Sequence, residues 1–107
     1  MSKYYYGKSK KVDANQKEIV AEFRRQGATV VILSELGKGC PDLLIGYEGV
    51  NILVEVKDGS KPQSQQKLTR DQKEFCQQWK GQGVVVVNSI LQCQQLITAC
   101  QTKVNDL

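Results

Sequence analysis

The sequence has no histidine, and its four cysteines, Cys40, Cys76, Cys93 and Cys100, form no C-x-x-C pair. A zinc site would have to gather all four scattered thiols, so we expect reduced, mostly buried cysteines instead. Any metal that this chain binds should therefore be a hard cation held by carboxylate oxygens.

Long apolar runs are also missing. No stretch approaches the roughly 18 consecutive apolar residues that span a bilayer, and residues 1–6 lack the apolar segment of a signal peptide. We therefore expect no membrane association and a cytoplasmic location. The 107 residues suffice for one hydrophobic core and are too few for two.

The net charge of +4 is concentrated at the start of the chain. Residues 1–11 contain Lys3, Lys8, Lys10 and Lys11 and no acidic residue, whereas acidic and basic residues balance in the rest. These lysines and the tyrosines among them suit contacts with phosphates and bases, although a solvated terminus has the same composition. The sequence thus divides into a basic arm, residues 1–12, and one domain, residues 13–107, with Lys8, Lys10 and Lys11 as candidate DNA contacts.

The hydrophobic pattern predicts elements in the order α-β-β-β-α-β-α, which is typical of an α/β domain with a central mixed sheet flanked by helices. The first helix has Asp13 as its N-cap and ends at Gly27. Strands follow at residues 28–33, 43–47 and 50–57. Between the last two strands, Glu48-Gly49 suits a tight hairpin turn.

The second half of the chain begins with a polar loop, residues 58–68. Thr69 and Gln72 have the spacing of a capping box, which predicts that a helix starts there. The continuous apolar run 84–87 predicts a buried central strand. Ser89 is the expected cap of a last helix.

The hairpin register brings two acidic residues together. If Tyr47 pairs with Val50, the same register places Asp42 directly opposite Glu55. The apolar residues at 52, 54 and 56 form one consistent face and support this register, because a one-residue slip would reverse the faces of one strand.

Glu55 and Lys57 share the other face of the strand, about 6.7 Å apart. Directly opposed side chains lie about 5 Å apart, where the like charges of Asp42 and Glu55 would be destabilising without a compensating cation. Two converging carboxylates beside an ammonium fit metal-assisted phosphodiester hydrolysis, in which the lysine orients water and stabilises developing charge. An isolated Glu-x-Lys would more simply be a surface ion pair, but the preceding Pro41-Asp42 favours an active site.

The pair Pro41-Asp42 followed by Glu55-Val56-Lys57 resembles the PD-(D/E)XK nuclease signature. The wider strings GCPDLLIG (39–46), LVEVKDG (53–59) and LTxDQ (68–72) are similar to its VRR-NUC branch. That branch includes small stand-alone proteins of phages and prophages and the nuclease domain of a DNA interstrand crosslink repair enzyme. The resemblance runs over about residues 13–87.

The resemblance implies a restriction-endonuclease-like fold. It also implies Mg²⁺ or Mn²⁺ bound by Asp42, Glu55 and the carbonyl of Val56, with Lys57 as the catalytic lysine. A DNA backbone could follow the basic residues near the site, which an ordinary solvated surface would also explain. These candidates are Lys38, Lys61, Lys67, Arg70 and Lys73.

Such families carry an acidic or amide residue on the first helix. Glu18 is the first candidate and Gln16 the second, although Gln16 shares its helix face with the apolar residues and points more directly toward the sheet. Related archaeal junction resolvases have a glutamate near the position of Gln16, so both candidates stay open. Gln72 matches a glutamine that the family places beside the site, and its alternative role is in the capping box.

The leading hypothesis is a metal-dependent, structure-selective DNA endonuclease, similar to a Holliday junction resolvase, that leaves 5′-phosphate and 3′-hydroxyl ends. By resemblance and size, we expect a homodimer on branched DNA. The alternatives are a flap nuclease acting as a single copy, a DNA-binding module without catalysis, and a structural or regulatory phage protein.

Overall fold

The computed structural model of the protein describes residues 12–105. Its helices and strands follow the predicted order, with two short 3-10 helices added at Ser34–Leu36 and Gln63–Gln65. The elements are α1 (Gln16–Arg25), β1 (Thr29–Ile32), β2 (Leu43–Tyr47), β3 (Val50–Val56), α2 (Arg70–Gln78), β4 (Val85–Val87) and α3 (Ile90–Asn105). The predicted α/β class is confirmed. Lys8, Lys10, Lys11 and most of the predicted basic arm lie outside the described residues.

The four described strands form one sheet in the order β1-β2-β3-β4, with two antiparallel pairings and a parallel pairing of β3 with β4. The hairpin register is confirmed, since Tyr47 pairs with Val50 and the ladder continues to Leu43 and Val54. Glu48 and Gly49 both have positive φ, 49° and 79°, which is the pattern of a two-residue type I′ turn.

The hydrophobic core lies between one face of the sheet and the helices α1 and α3. The apolar face predicted for β3 is confirmed, because Ile52, Val54 and Val56 are all buried. The other fully buried members are Ile19, Phe23, Leu43, Ile45, Val87 and Cys93. None of the four cysteines forms a disulfide; Cys93 and Cys100 are in this core, and Cys40 and Cys76 are half-buried.

The opposite face of the sheet carries Glu55 and Lys57, and α2 lies beside them. Of α2, Gln72 alone is buried. The helix ends at Gln78, so Trp79 lies just beyond it, exposed and stacked on Phe75 with ring centroids 5.3 Å apart. This face is therefore polar and partly open, in contrast to the sealed core.

Two local predictions are wrong. β4 is an edge strand of the described sheet rather than a central one, and Val86 is 42% exposed. A run of valines shows that a strand forms but not whether a neighbour lies on both sides of it. The N-cap of α1 is Asn15 instead of Asp13, whose carbonyl accepts a hydrogen bond from the Gln16 N–H.

Within the described part of the chain, none of the helices has the length and apolar character needed to cross a bilayer.

Candidate active site

The polar side of the sheet opens into a cleft of about 350 Å³ between β3, the loop before β2, and the start of α2. Four carboxylates and two lysines line it, so its lining carries an excess of negative charge. The lining residues are Asp13, Gly37, Lys38, Gly39, Asp42, Glu55, Val56, Lys57, Thr69, Asp71 and Gln72.

Asp42 lies directly before β2 and is 3% exposed. The register had predicted that Asp42 pairs directly with Glu55. The β2–β3 ladder ends one pair earlier, at Leu43 and Val54, so Asp42 and Glu55 are not part of it. Instead, Asp42 Oδ2 accepts a hydrogen bond of 2.8 Å from the backbone N–H of Val56. This bond fixes the carboxylate beside the backbone between Glu55 and Lys57.

Gln72 joins Glu55 to Lys57. Its Nε2 donates to Glu55 Oε2 at 2.8 Å, and its Oε1 accepts from Lys57 Nζ at 2.9 Å. Lys57 Nζ also lies 3.9 Å from Glu55 Oε2, and all three residues are nearly buried. One amide therefore sets the separation and orientation of the predicted acidic and basic groups.

The same amide closes the predicted capping box of α2. The Thr69 N–H donates to Gln72 Oε1 at 2.8 Å, and the Gln72 N–H donates to Thr69 Oγ1 at 3.2 Å. The two roles considered for Gln72 therefore occur at once, because its Oε1 accepts from both the helix start and Lys57. The position of α2 is coupled to the geometry of the cleft.

Asp13 is a cleft residue that sequence reasoning assigned to helix capping. Burial raises its pKa, and the nearby charge of Asp42 raises it further, while Lys57 and Lys61 act to lower it. Asn15 holds this segment in place, since its Nδ2 donates to the carbonyls of Lys57 and Asn88 at 3.0 and 3.3 Å. Asparagine is also a common N-cap residue, so Asn15, two positions after Asp13, is the signal in the sequence that could have freed Asp13 for another role.

The structure separates the two first-helix candidates. Glu18 is exposed and does not line the cleft; it lies close enough to Cys93 on α3 to contribute to the raised pKa of that thiol. Glu18 is two residues after Gln16 on α1, so its side chain points to a different side of the helix. The preference for Glu18 over Gln16 is therefore corrected.

Gln16 does not line the cleft either, but it is 5% exposed and is connected to Asp42 through Ser34, a residue that sequence reasoning missed. Its Nε2 donates to Ser34 Oγ at 2.9 Å, and Ser34 Oγ donates to Asp42 Oδ1 at 3.5 Å. Gln16 Oε1 is buried and has no hydrogen-bond partner among the described residues. No sequence pattern marks Ser34, because its contact with Gln16 joins distant parts of the chain.

The predicted DNA contacts divide into two groups. Lys38 lines the cleft, and Lys61 lies near enough to Asp13 to influence its pKa. Lys67, Arg70 and Lys73 are exposed and do not line the cleft, and Arg70 is paired with Glu74 at 3.4 Å.

The donor atoms of the cleft fit a hard divalent cation. Asp42 and Glu55 offer carboxylate oxygens, and Val56 lines the cleft while its side chain is buried in the core, so it offers its backbone. Among the described residues, no three acidic or thiol side chains converge closely enough to share one ion. A metal held here would complete its shell with carbonyl or amide oxygens and water, as Mg²⁺ commonly does.

Comparison with known proteins identifies the family. A solved structure described as a VRR_NUC domain is 35% identical to this chain, with a TM-score of 0.51, over 88% of this chain and 95% of that one. The chain belongs to the VRR-NUC family. No family model matches it, and no curated protein does so either.

Membership of the VRR-NUC family confirms the restriction-endonuclease-like fold and gives the chain a nuclease-type function with DNA as substrate. VRR-NUC nucleases generally depend on divalent metal ions, which agrees with the oxygen donors of this cleft.

Proposed function

We propose that the chain is a Mg²⁺- or Mn²⁺-dependent endonuclease that hydrolyses phosphodiester bonds in branched DNA. The observation that carries the proposal is the arrangement of Asp42, Glu55 and Lys57, all nearly buried in one open cleft and held by Val56 and Gln72. A purely structural ion pair would not require a second carboxylate beside the first.

Asp42, Glu55 and the Val56 carbonyl are the proposed metal ligands. Gln16 is the first-helix residue that we favour as an additional donor, because its Oε1 is buried without a partner among the described residues. Asp13 adds a further carboxylate at the mouth of the cleft. When bound, the divalent cation would neutralise phosphate charge and lower the pKa of a coordinated water.

Lys57 is the proposed catalytic lysine. Its ammonium lies beside Glu55 and is held by Gln72 Oε1 at 2.9 Å, so it can orient the attacking water and stabilise the negative charge that develops on the phosphoryl oxygens. Gln72 is a positioning residue in this scheme, since it fixes both partners without supplying a charge. The products would be 5′-phosphate and 3′-hydroxyl ends.

A resolvase-like enzyme must present two symmetric sites to a four-way junction, and a twofold homodimer is the simplest way to do so. Exposed apolar side chains support an association surface. They are Ile32 at the end of β1 and Leu36 after it, 53% and 60% exposed, which line one groove together. Ile32 also lines a groove with residues of α1, so this apolar surface continues onto that helix.

The proposal is tested by incubating the purified protein with Mg²⁺ or Mn²⁺ and end-labelled duplex, flap, splayed-arm and four-way junction DNA. We expect paired, symmetric cuts in the junction, no cutting in EDTA, and a dimer in analytical ultracentrifugation. A monomer that cuts flaps without paired junction cuts would replace the resolvase assignment with a flap nuclease. No cutting of any substrate in either metal would contradict the proposed activity.

A further inference from the structure

The segment before Pro41 forms a tight turn with an unusual residue at its tip. The Cys40 N–H donates to the Gly37 carbonyl at 3.0 Å, and the two central residues, Lys38 and Gly39, have φ of 54° and 79°. Two positive φ values in succession are the pattern of a type I′ turn, in which glycine, asparagine and aspartate are preferred. A lysine at the first central position is strained, because its Cβ is poorly accommodated there.

This turn is fixed against the start of α2. A Cβ atom added to Gly39 would lie 2.1 Å from the Asp71 carbonyl oxygen and 2.9 Å from the Gln72 backbone nitrogen. The backbone of the turn therefore packs directly on the residue that holds Glu55 and Lys57. The place of Lys38 relative to the proposed catalytic groups is set by backbone contact rather than by a flexible loop.

The charges of the cleft leave Lys38 available to a ligand. Two lysines line the cleft, and Lys57 is engaged by Gln72 and Glu55. Lys38 is exposed and makes no hydrogen bond or ion pair with the described residues. The Lys38 ammonium could therefore bind an anion that enters the cleft without first breaking a contact with the described residues.

We propose that Lys38 binds a backbone phosphate of the DNA strand that enters the cleft, and that the type I′ turn holds Lys38 in position for this contact. The inference rests on the proposed nuclease function and adds a substrate-positioning residue to it. A strained residue in a ligand cleft, in a turn that glycine or asparagine would stabilise, is expected where function outweighs local stability. The contact is with phosphate and so should not depend on base sequence.

The chain contains a matched control for the strain. Glu48 occupies the first central position of the β2–β3 turn with φ of 49°, and it does not line the cleft. Lys38→Gly and Glu48→Gly relieve the same kind of backbone strain, so both should raise the melting temperature in metal-free buffer. Only Lys38→Gly should weaken DNA binding.

Binding is measured by fluorescence anisotropy with labelled branched DNA in EDTA, over a range of salt concentrations. Loss of one phosphate contact should weaken binding about tenfold near 0.1 M salt and reduce the salt-dependence slope by about one. Lys38→Arg should retain most of the affinity. Lys80→Ala, a change at an exposed lysine away from the cleft, should bind as the wild type does. Lys38→Asn is the second variant, since asparagine tolerates the left-handed conformation.

The outcomes separate the two proposals. If Lys38→Gly and Lys38→Asn bind DNA with wild-type affinity and salt slope, Lys38 does not contact phosphate and the inference is overturned, even if the wild type cuts DNA. If the wild type cuts no DNA in Mg²⁺ or Mn²⁺ but its binding still depends on Lys38, the phosphate contact stands and the proposed catalysis fails.

Discussion

Glu22 on α1 and the cleft residues Asp42 and Glu55 are buried carboxylates in very different surroundings. Glu22, on α1, accepts hydrogen bonds from Arg25 at 3.0 and 2.7 Å, from Gln26 at 2.8 Å and from Gln94 at 3.2 Å. These bonds, foremost those from Arg25, lower its pKa to about 2. The Glu22 carboxylate is therefore satisfied within the fold, with no need of a ligand.

The cleft has the opposite balance. Asp42 and Glu55 receive hydrogen bonds from Val56, Ser34 and Gln72, but neighbouring carboxylates line the same space. The pKa of Asp13 is raised by burial and by the charge of Asp42. The cleft, where several carboxylates lie close together, can therefore accommodate a cation. Glu22, whose hydrogen bonds are satisfied, would gain nothing from one. That difference is the physical basis of the functional assignment.

The largest expected effect comes from removing a charge on the crowded side. Glu55→Gln should lower the cleavage rate by at least about a hundredfold, the usual effect of losing one group that acts on the transition state. Because Glu55 also compensates the charge of the nearly buried Lys57, the variant should not raise the melting temperature in metal-free buffer. Single-turnover assays and thermal melts measure both quantities. Cleavage at the wild-type rate would show that the site is misassigned.

Gln72→Ala should affect both activity and stability, since this residue belongs to the cleft and to the capping box. Thr69→Ala is the matched control, because it removes the cap and leaves the amide between Glu55 and Lys57. Both variants should lose about 1 kcal/mol of unfolding free energy, and only Gln72→Ala should lose activity, by about tenfold with a changed metal dependence. Equal activity in the two variants would limit Gln72 to a structural role.

Glu22→Gln tests the satisfied side. A lowered folded-state pKa means that Glu22 contributes stability above its unfolded value of 4.5, and that this contribution is lost as the pH falls toward about 2. We expect the variant to melt a few degrees below the wild type at pH 7 and at the same temperature near pH 2, with unchanged cleavage. A difference in melting temperature that persists at pH 2 would mean that packing, and not charge, is responsible.

Asp13→Asn should change the melting temperature by less than Glu22→Gln does, and in the opposite direction. The folded-state pKa of Asp13 is raised above 3.8, so the ionised side chain costs stability above that pH, and the cost disappears below it. In EDTA, the variant should melt slightly above the wild type at pH 7 and equally at pH 3. A lower melting temperature at pH 7 would place Asp13 with Glu22 as a satisfied carboxylate.

The features that the sequence predicted correctly depend on local rules. The hairpin register followed from a two-residue turn and the alternation of Ile52, Val54 and Val56, and the capping box followed from the spacing of Thr69 and Gln72. Both are set by residues close together in the chain. For the same reason, the side chains of Glu55 and Lys57 were assigned to the correct face of β3.

The features that sequence reasoning missed depend on distant contacts. The placement of β4 at the sheet edge requires knowing that no described strand lies beyond it. The entry of Asp13 into the cleft requires the bonds of Asn15 to the ends of β3 and β4, and the contact of Gln16 with Ser34 joins α1 to the segment after β1. Helical spacing could show that Gln16 faces inward, but not which atoms it would meet.

The most direct test of the central claim is calorimetric titration of Mn²⁺ into the wild type, Glu55→Gln and Glu22→Gln. The account predicts that the wild type and Glu22→Gln bind Mn²⁺ with the same affinity and that Glu55→Gln binds it at least about tenfold more weakly. Equal Mn²⁺ affinity in all three proteins, or no binding by the wild type, would contradict a metal site at the crowded carboxylates.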